Sequence, residues 1–151
     1  MDELPTGEVI VAPVENSLEG TLVCDMAIGG IGLLKTPFTI TAKNGKVTNT
    51  RSENANVKKR VDESLATDTM SNVVGEFAFG INPKARFVEE FLETEKIKGT
   101  IHIAFGDNLD YPSGRNNSAN HMDFLINKPT VKTHKKNKKA ITLLKDGKYQ
   151  T

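Results

Sequence analysis

"HMDFLI", residues 121–126, sets His121 and Asp123 on one side of an extended chain and Met122, Phe124 and Ile126 on the other, because successive side chains of a strand point to opposite faces. Three more stretches repeat the arrangement. In "TIHIAFG" (100–106), His102, Ala104 and Gly106 oppose Ile101, Ile103 and Phe105; in "GEFAFGI" (75–81), Glu76, Ala78 and Gly80 oppose Phe77, Phe79 and Ile81. "GEVIVAP" (7–13) is a weaker case, with Glu8, Ile10 and Ala12 on one face and Val9 and Val11 on the other. Each run carries a polar ligand-type residue at its head, mostly small residues beside it and core-type residues behind. A sheet built from all four is apolar on one face. If the heads converge, the other face presents two glutamates, two histidines and an aspartate to one cavity.

The rest of the chain supplies what such a sheet needs. "PFTITAKNGKVTNTR" (37–51) reads as a hairpin turning at Asn44-Gly45, the favoured two-residue pair. From Asn54 the period changes: Val57, Val61 and Leu65 recur every four residues among charged ones, which predicts an amphipathic helix capped at Asn54 or Asn56. A second short helical piece is expected over residues 68–74, and a further helix over "ARFVEEFLETEK" (85–96), with Phe87 and Phe91 on one stripe. "NLDYPSGRNNSAN" (108–120) is rich in turn formers and reads as a loop. The end, residues 130–149, reads as two strands around a basic tip with a closing turn at Asp146-Gly147. The expected fold is α+β, a mixed and mainly antiparallel β-sheet with two or three short helices in the middle of the chain, in one domain over residues 1–151.

Composition narrows the function. A chain of 151 residues with 26% charged and 37% hydrophobic residues can bury a core unaided. A net charge of +1 gives no overall field for nucleic acid or anionic lipid. No stretch has the make-up of a signal peptide or the roughly 18 apolar residues of a membrane span, so neither membrane nor nucleic acid is expected as a partner, and a cytoplasmic location is. The single cysteine, Cys24, lies in the apolar "TLVCDMAIGG" (21–30) and reads as a buried thiol. "KTHKKNKK" (132–139) holds five lysines and His134 but no interleaved aromatics; it reads as a solvated hairpin tip.

Carboxylate oxygens and imidazole nitrogens bind zinc, cobalt, manganese or iron. Five such groups, with bridging carboxylates, can hold two divalent ions roughly 3.5–4 Å apart. The ordinary alternative for each residue is a hydrogen-bonded structural histidine or a solvated edge glutamate, and spacing alone does not decide between them. Tyr111, beside Pro112, reads first as a turn aromatic and second as a hydrogen-bond donor to a developing oxyanion. Asn116, Asn117 and Ser118 are candidates to orient the pair at 121 and 123.

Four blocks, "LPTGEVIVAPVENSLEGT", "VVGEFAFGINPKA", "GTIHIAFGDN" and "GRNNSANHMDF", resemble in the same order the successive blocks of the aminopeptidase T family of metallo-aminopeptidases. The resemblance runs from Leu4 to about Ile126 and implies that Glu8, Glu76, His102, His121 and Asp123 bind two divalent ions (zinc, cobalt or manganese) that activate water to release the N-terminal residue of a peptide. These are the five residues that the alternation selects. It further implies a homodimer and a chain corresponding to the C-terminal half of a longer two-domain enzyme; for the peptidase mechanism, Glu76, if only loosely ligated, is the candidate proton shuttle and Tyr111 the candidate oxyanion donor. The same architecture occurs in ring-cleaving enzymes similar to 2,5-dihydroxypyridine dioxygenase, in which two histidines and an aspartate hold one iron; His102, His121 and Asp123 match that triad. Glu8 and Glu76 discriminate the readings, since two ions need the extra carboxylates and a single-iron triad leaves them without a metal role.

Overall fold

The computed structural model describes residues 6–88 and 91–150. Its centre is a six-stranded sheet of β1 (Glu8–Val11), β7 (Val74–Gly80), β8 (Ile101–Gly106), β9 (His121–Ile126), β3 (Ala27–Ile28) and β4 (Gly32–Leu33), paired antiparallel in that order. A second sheet joins β2 (Gly20–Cys24), β5 (Phe38–Lys43) and β6 (Lys46–Ser52), and a third joins β10 (Val131–Thr133), β11 (Ile141–Lys145) and β12 (Lys148–Tyr149). The helices are α1 (Ala55–Leu65) and α2 (Phe91–Thr94). The fold is α+β and mainly antiparallel, as expected.

The apolar faces meet where the alternation puts them. Ile103, Phe105, Met122 and Phe124 of the central sheet pack with Cys24, Phe38 and Ile40 of the second sheet and with Val61 and Leu65 of α1. Phe124 is fully buried, its ring 5.8 Å from Phe105 and 6.1 Å from Phe38. Burial also pushes the Cys24 thiol up to about 12, so the cysteine is an inert core residue. The hairpin turns at Asn44 and Gly45, both with positive φ. Asn54 caps α1, its side-chain oxygen accepting from the amides of Asn56 and Val57. Among the described residues no helix is long and apolar enough to cross a membrane.

Three expectations need correction. The helix expected over residues 68–74 is absent: 68–72 form bends and turns, Val73 bridges to Lys46 and Val74 opens β7, while the Asp68 carboxylate accepts from the Met70 and Ala119 amides and from the Ser118 hydroxyl, which ties the segment to a distant loop instead of an i,i+4 ladder. The helix expected over 85–96 shrinks to Phe91–Thr94; residues 85–88 are non-helical, and 89–90 lie outside the described residues. Side chains there capture the backbone, since Thr94 Oγ1 both accepts from the amide and donates to the carbonyl of Val88, and Glu93 accepts from the Arg86 amide. Phe87 is exposed while Phe91 packs against the cluster of Met26, Ala27 and Leu125, so the two share no stripe. At the end of the chain, the Asp146-Gly147 turn adds β12 to the two expected strands, and the basic run is the exposed connection between β10 and β11.

Candidate metal centre

The strand register carries the five ligand-type residues to one place. Glu8 sits opposite Gly80, Glu76 and Asp123 both sit opposite Ala104, His102 sits opposite Ala78, and His121 sits opposite Gly106. The small partners leave room for long side chains to lean toward one another. His102 Nε2 lies 3.0 Å from Glu76 Oε1 and 3.5 Å from Glu8 Oε2; His121 Nε2 lies 3.2 Å from Glu76 Oε2 and 3.5 Å from Asp123 Oδ1. Two groups of potential ligand atoms result, Glu8–Glu76–His102 and Glu76–His121–Asp123, each with its atoms within 4.8 Å of one another. Glu76 belongs to both and offers one oxygen to each histidine.

This donor set fits a cation. His121 Nδ1 lies 2.8 Å from the backbone oxygen of Asp107, which can only accept, so Nδ1 donates and Nε2 of the neutral ring presents a lone pair to two carboxylates. Acceptors aimed at one another require a positive centre between them, a proton or a metal ion. The titration behaviour expresses the same demand. Burial works to lower both imidazoles, yet the carboxylates outweigh it: Glu76 and Asp123 raise His102, and Asp123 and Glu76 push His121 up to about 11. Burial opposes the charge on Glu76, but hydrogen bonds from His102, His121 and Tyr111 hold its carboxyl well below the usual range.

The surroundings are less symmetric than the ligands. His102 and Glu76 are buried, whereas the His121 side chain is 33% exposed at a cleft of about 940 Å³ that Ile10, Leu92, Asp110 and Tyr111 also line. Tyr111 donates its hydroxyl to Glu76 Oε2 at 2.7 Å, which places it in the site rather than only in a turn. Burial and the Glu76 carboxylate raise the phenol, so it stays a protonated donor. Asn116 and Ser118 do not touch the pair at 121 and 123. Asn116 donates to the backbone oxygens of Val74 and Gly106, Ser118 donates to Asp68, and both pin the loop that leads into β9.

Two residues of the site lay outside the sequence reading. Lys96 and Glu95, almost fully buried, pair at 2.6 Å, and Lys96 Nζ lies 3.2 Å from Glu8 Oε1. Burial alone would depress this ammonium, but Glu95 and then Glu8 raise it; burial pushes Glu95 up to about 7 despite Lys96. Their segment reads as an amphipathic helix, and a helical period cannot reveal that its last residues turn down onto the sheet.

Among solved structures, the chain is similar to wild-type AmpT from Thermus thermophilus, with a TM-score of 0.81 and 23% identity over 98% of this chain and 40% of that one. It is also similar to 2,5-dihydroxypyridine dioxygenase from Pseudomonas putida KT2440, with a TM-score of 0.78 and 17% identity over 97% of this chain and 44% of that one. Both likenesses establish the fold, and the chain spans less than half the length of either protein. No curated protein matches the chain. The thermophilic metalloprotease (M29) family model matches residues 1–149, and its name implies a metal-dependent peptidase, in accord with the donor set. The chain therefore belongs to the thermophilic metalloprotease (M29) family.

Proposed function

We propose that this chain carries the metal centre of an aminopeptidase, in which Glu8, Glu76, His102, His121 and Asp123 hold two divalent ions (zinc, cobalt or manganese) and the substrate is a peptide with a free amino terminus. The split of Glu76, with Oε1 on His102 and Oε2 on His121, carries this reading, because a carboxylate shared between two ligand groups is the bridge that a two-metal site needs. Ions bound there would polarise a carbonyl and acidify water. The chain's own groups do the rest. Tyr111 keeps its proton and stands 2.7 Å from the bridging carboxylate, in reach of a substrate oxygen that becomes an oxyanion beside Glu76. His102, His121 and Tyr111 all favour the ionised form of Glu76, which makes bridging its first role and proton shuttling its second. Substrate would approach on the His121 side, where the side chain is exposed, while His102 lies buried in the wall of the same cleft.

The likeness to the dioxygenase keeps a second reading in view, a single iron on His102, His121 and Asp123. That trio is not among the groups whose ligand atoms come within 4.8 Å of one another among the described residues, and it leaves Glu8 and Glu76 without a metal role. Metal titration of the chain, combined with release of the amine from aminoacyl anilides, separates the readings. Near two equivalents, with Glu8→Ala losing one, is the expected result. One equivalent of iron, unaffected by Glu8→Ala and consuming dioxygen with 2,5-dihydroxypyridine, overturns it.

A further inference from the structure

Glu8 divides its two oxygens between unlike partners: Oε2 faces His102 Nε2 at 3.5 Å, and Oε1 faces Lys96 Nζ at 3.2 Å. We propose that Lys96 is a positioning residue that clamps one oxygen of Glu8, so that Glu8 offers only the other to an ion shared with His102. The proposal rests on the two-metal reading above.

The clamp is built from the backbone upward. Gly80 sits opposite Glu8, and a Cβ on it would meet the Ile97 carbonyl oxygen at 2.1 Å, so the turn after α2 lies directly on the sheet at that point. Asn82 ties the two sides together. Its amide donates to the Lys96 carbonyl, its carbonyl accepts from the Lys98 amide, and its side-chain amide donates to the carbonyl of Thr6, just ahead of β1. The ammonium thus reaches Glu8 from a fixed backbone, and only 1% of its side chain is exposed.

Charge makes the arrangement compatible with a cation. A buried ammonium beside a metal position would ordinarily repel the ion. Glu95, 2.6 Å away, faces the Lys96 ammonium and offsets part of its charge, and Glu8, Glu76 and Asp123 add negative charge toward the ions. Fixing a carboxylate ligand through its non-ligating oxygen is the part that residues behind the ligands play in metal sites, where their loss weakens binding by roughly 10–100-fold.

The test is stepwise zinc binding by the full chain in competition with a chromogenic chelator, with cobalt absorption spectra as a second readout, for wild type, K96M and K96Q. In K96M, one of the two ions should bind roughly 10–100-fold more weakly and its cobalt bands should change, while the other ion keeps its affinity. K96Q, which retains a donor but no charge, should show a smaller loss at the same ion, and it decides the matter if K96M fails to fold. Unchanged or tighter binding, or equal weakening of both ions, overturns the proposal and leaves Lys96 as the counter-ion of Glu95. Should wild type bind a single ion, the two-metal reading fails separately. Lys96 is then judged on that ion: weakening in K96M upholds the clamp, and no change overturns it.

Discussion

The two halves of the site use the same chemistry in unlike settings. The inner half, Glu8–Glu76–His102, lies on three neighbouring strands, backed by Lys96 and closed to solvent at its histidine. The outer half, Glu76–His121–Asp123, opens on the cleft, and its histidine is aimed by one loop carbonyl, that of Asp107. Both halves line one cleft, so the contrast lies in their histidines: in the proposed two-ion site, an ion on the buried His102 would exchange more slowly than one on the exposed His121.

The largest effect should come from erasing what the halves share. Glu76→Ala is expected to weaken both ions by more than the roughly 100-fold that marks a residue behind the ligands, whereas Glu8→Ala and Asp123→Ala each cost one ion. Loss of a single ion in Glu76→Ala, read by metal analysis after gel filtration, would show that the halves are independent. Striking the apolar side should loosen both halves alike. Phe124→Ala removes a fully buried ring and should cost about 3–5 kcal/mol in denaturant unfolding, with no preference for either ion. Tyr111→Phe touches only the outer side; it should lower kcat about 10²–10³-fold and leave zinc stoichiometry unchanged. Dialysis against a graded series of weak chelators should strip the outer ion first, and simultaneous loss would erase the contrast between the two histidines.

The smallest effect concerns pH. The folded value of His121 lies above its unfolded value near 6.5, so its contribution to the stability of the metal-free chain is complete below pH 6.5 and is lost as pH rises toward about 11. Glu76 runs the other way, contributing above the ordinary carboxylate range and losing that contribution as pH falls through its lowered value. The Tm of the chelator-treated chain should therefore decline between pH 7 and 9.5. The zinc-loaded chain, whose ligating imidazoles would already be neutral, should not share that decline. A metal-free Tm that climbs over this interval would contradict the assignment.

The convergence of the five candidate ligands is legible because a strand's period of two is short enough for six residues to display it. "HMDFLI" alone separates His121 and Asp123 from Met122 and Phe124, and the register then does what the alternation implies. Lys96 and Glu95 were illegible because their position depends on a turn stopping where Gly80 lacks a Cβ, a fact about two distant segments at once. Tyr111 lay between these cases: its loop was plain in the sequence, but its contact with Glu76, 35 residues away in the chain, was not. The helix expected over residues 68–74 does not form for a related reason, since partners of Asp68 come from residues 118 and 119.

Among the described residues, strand β1 has only β7 beside it, through four register pairs, and Val9 and Val11 are half exposed. It also carries Glu8. With Glu8 as the proposed ligand, fraying and ion release would join into one equilibrium, because an opening that peels β1 away would give up a ligand, and an ion in place would oppose the peeling by RT ln(1 + [L]/Kd). Slow amide hydrogen exchange along residues 8–11 would thus report metal occupancy, with the edge of the sheet acting as a gauge of free zinc.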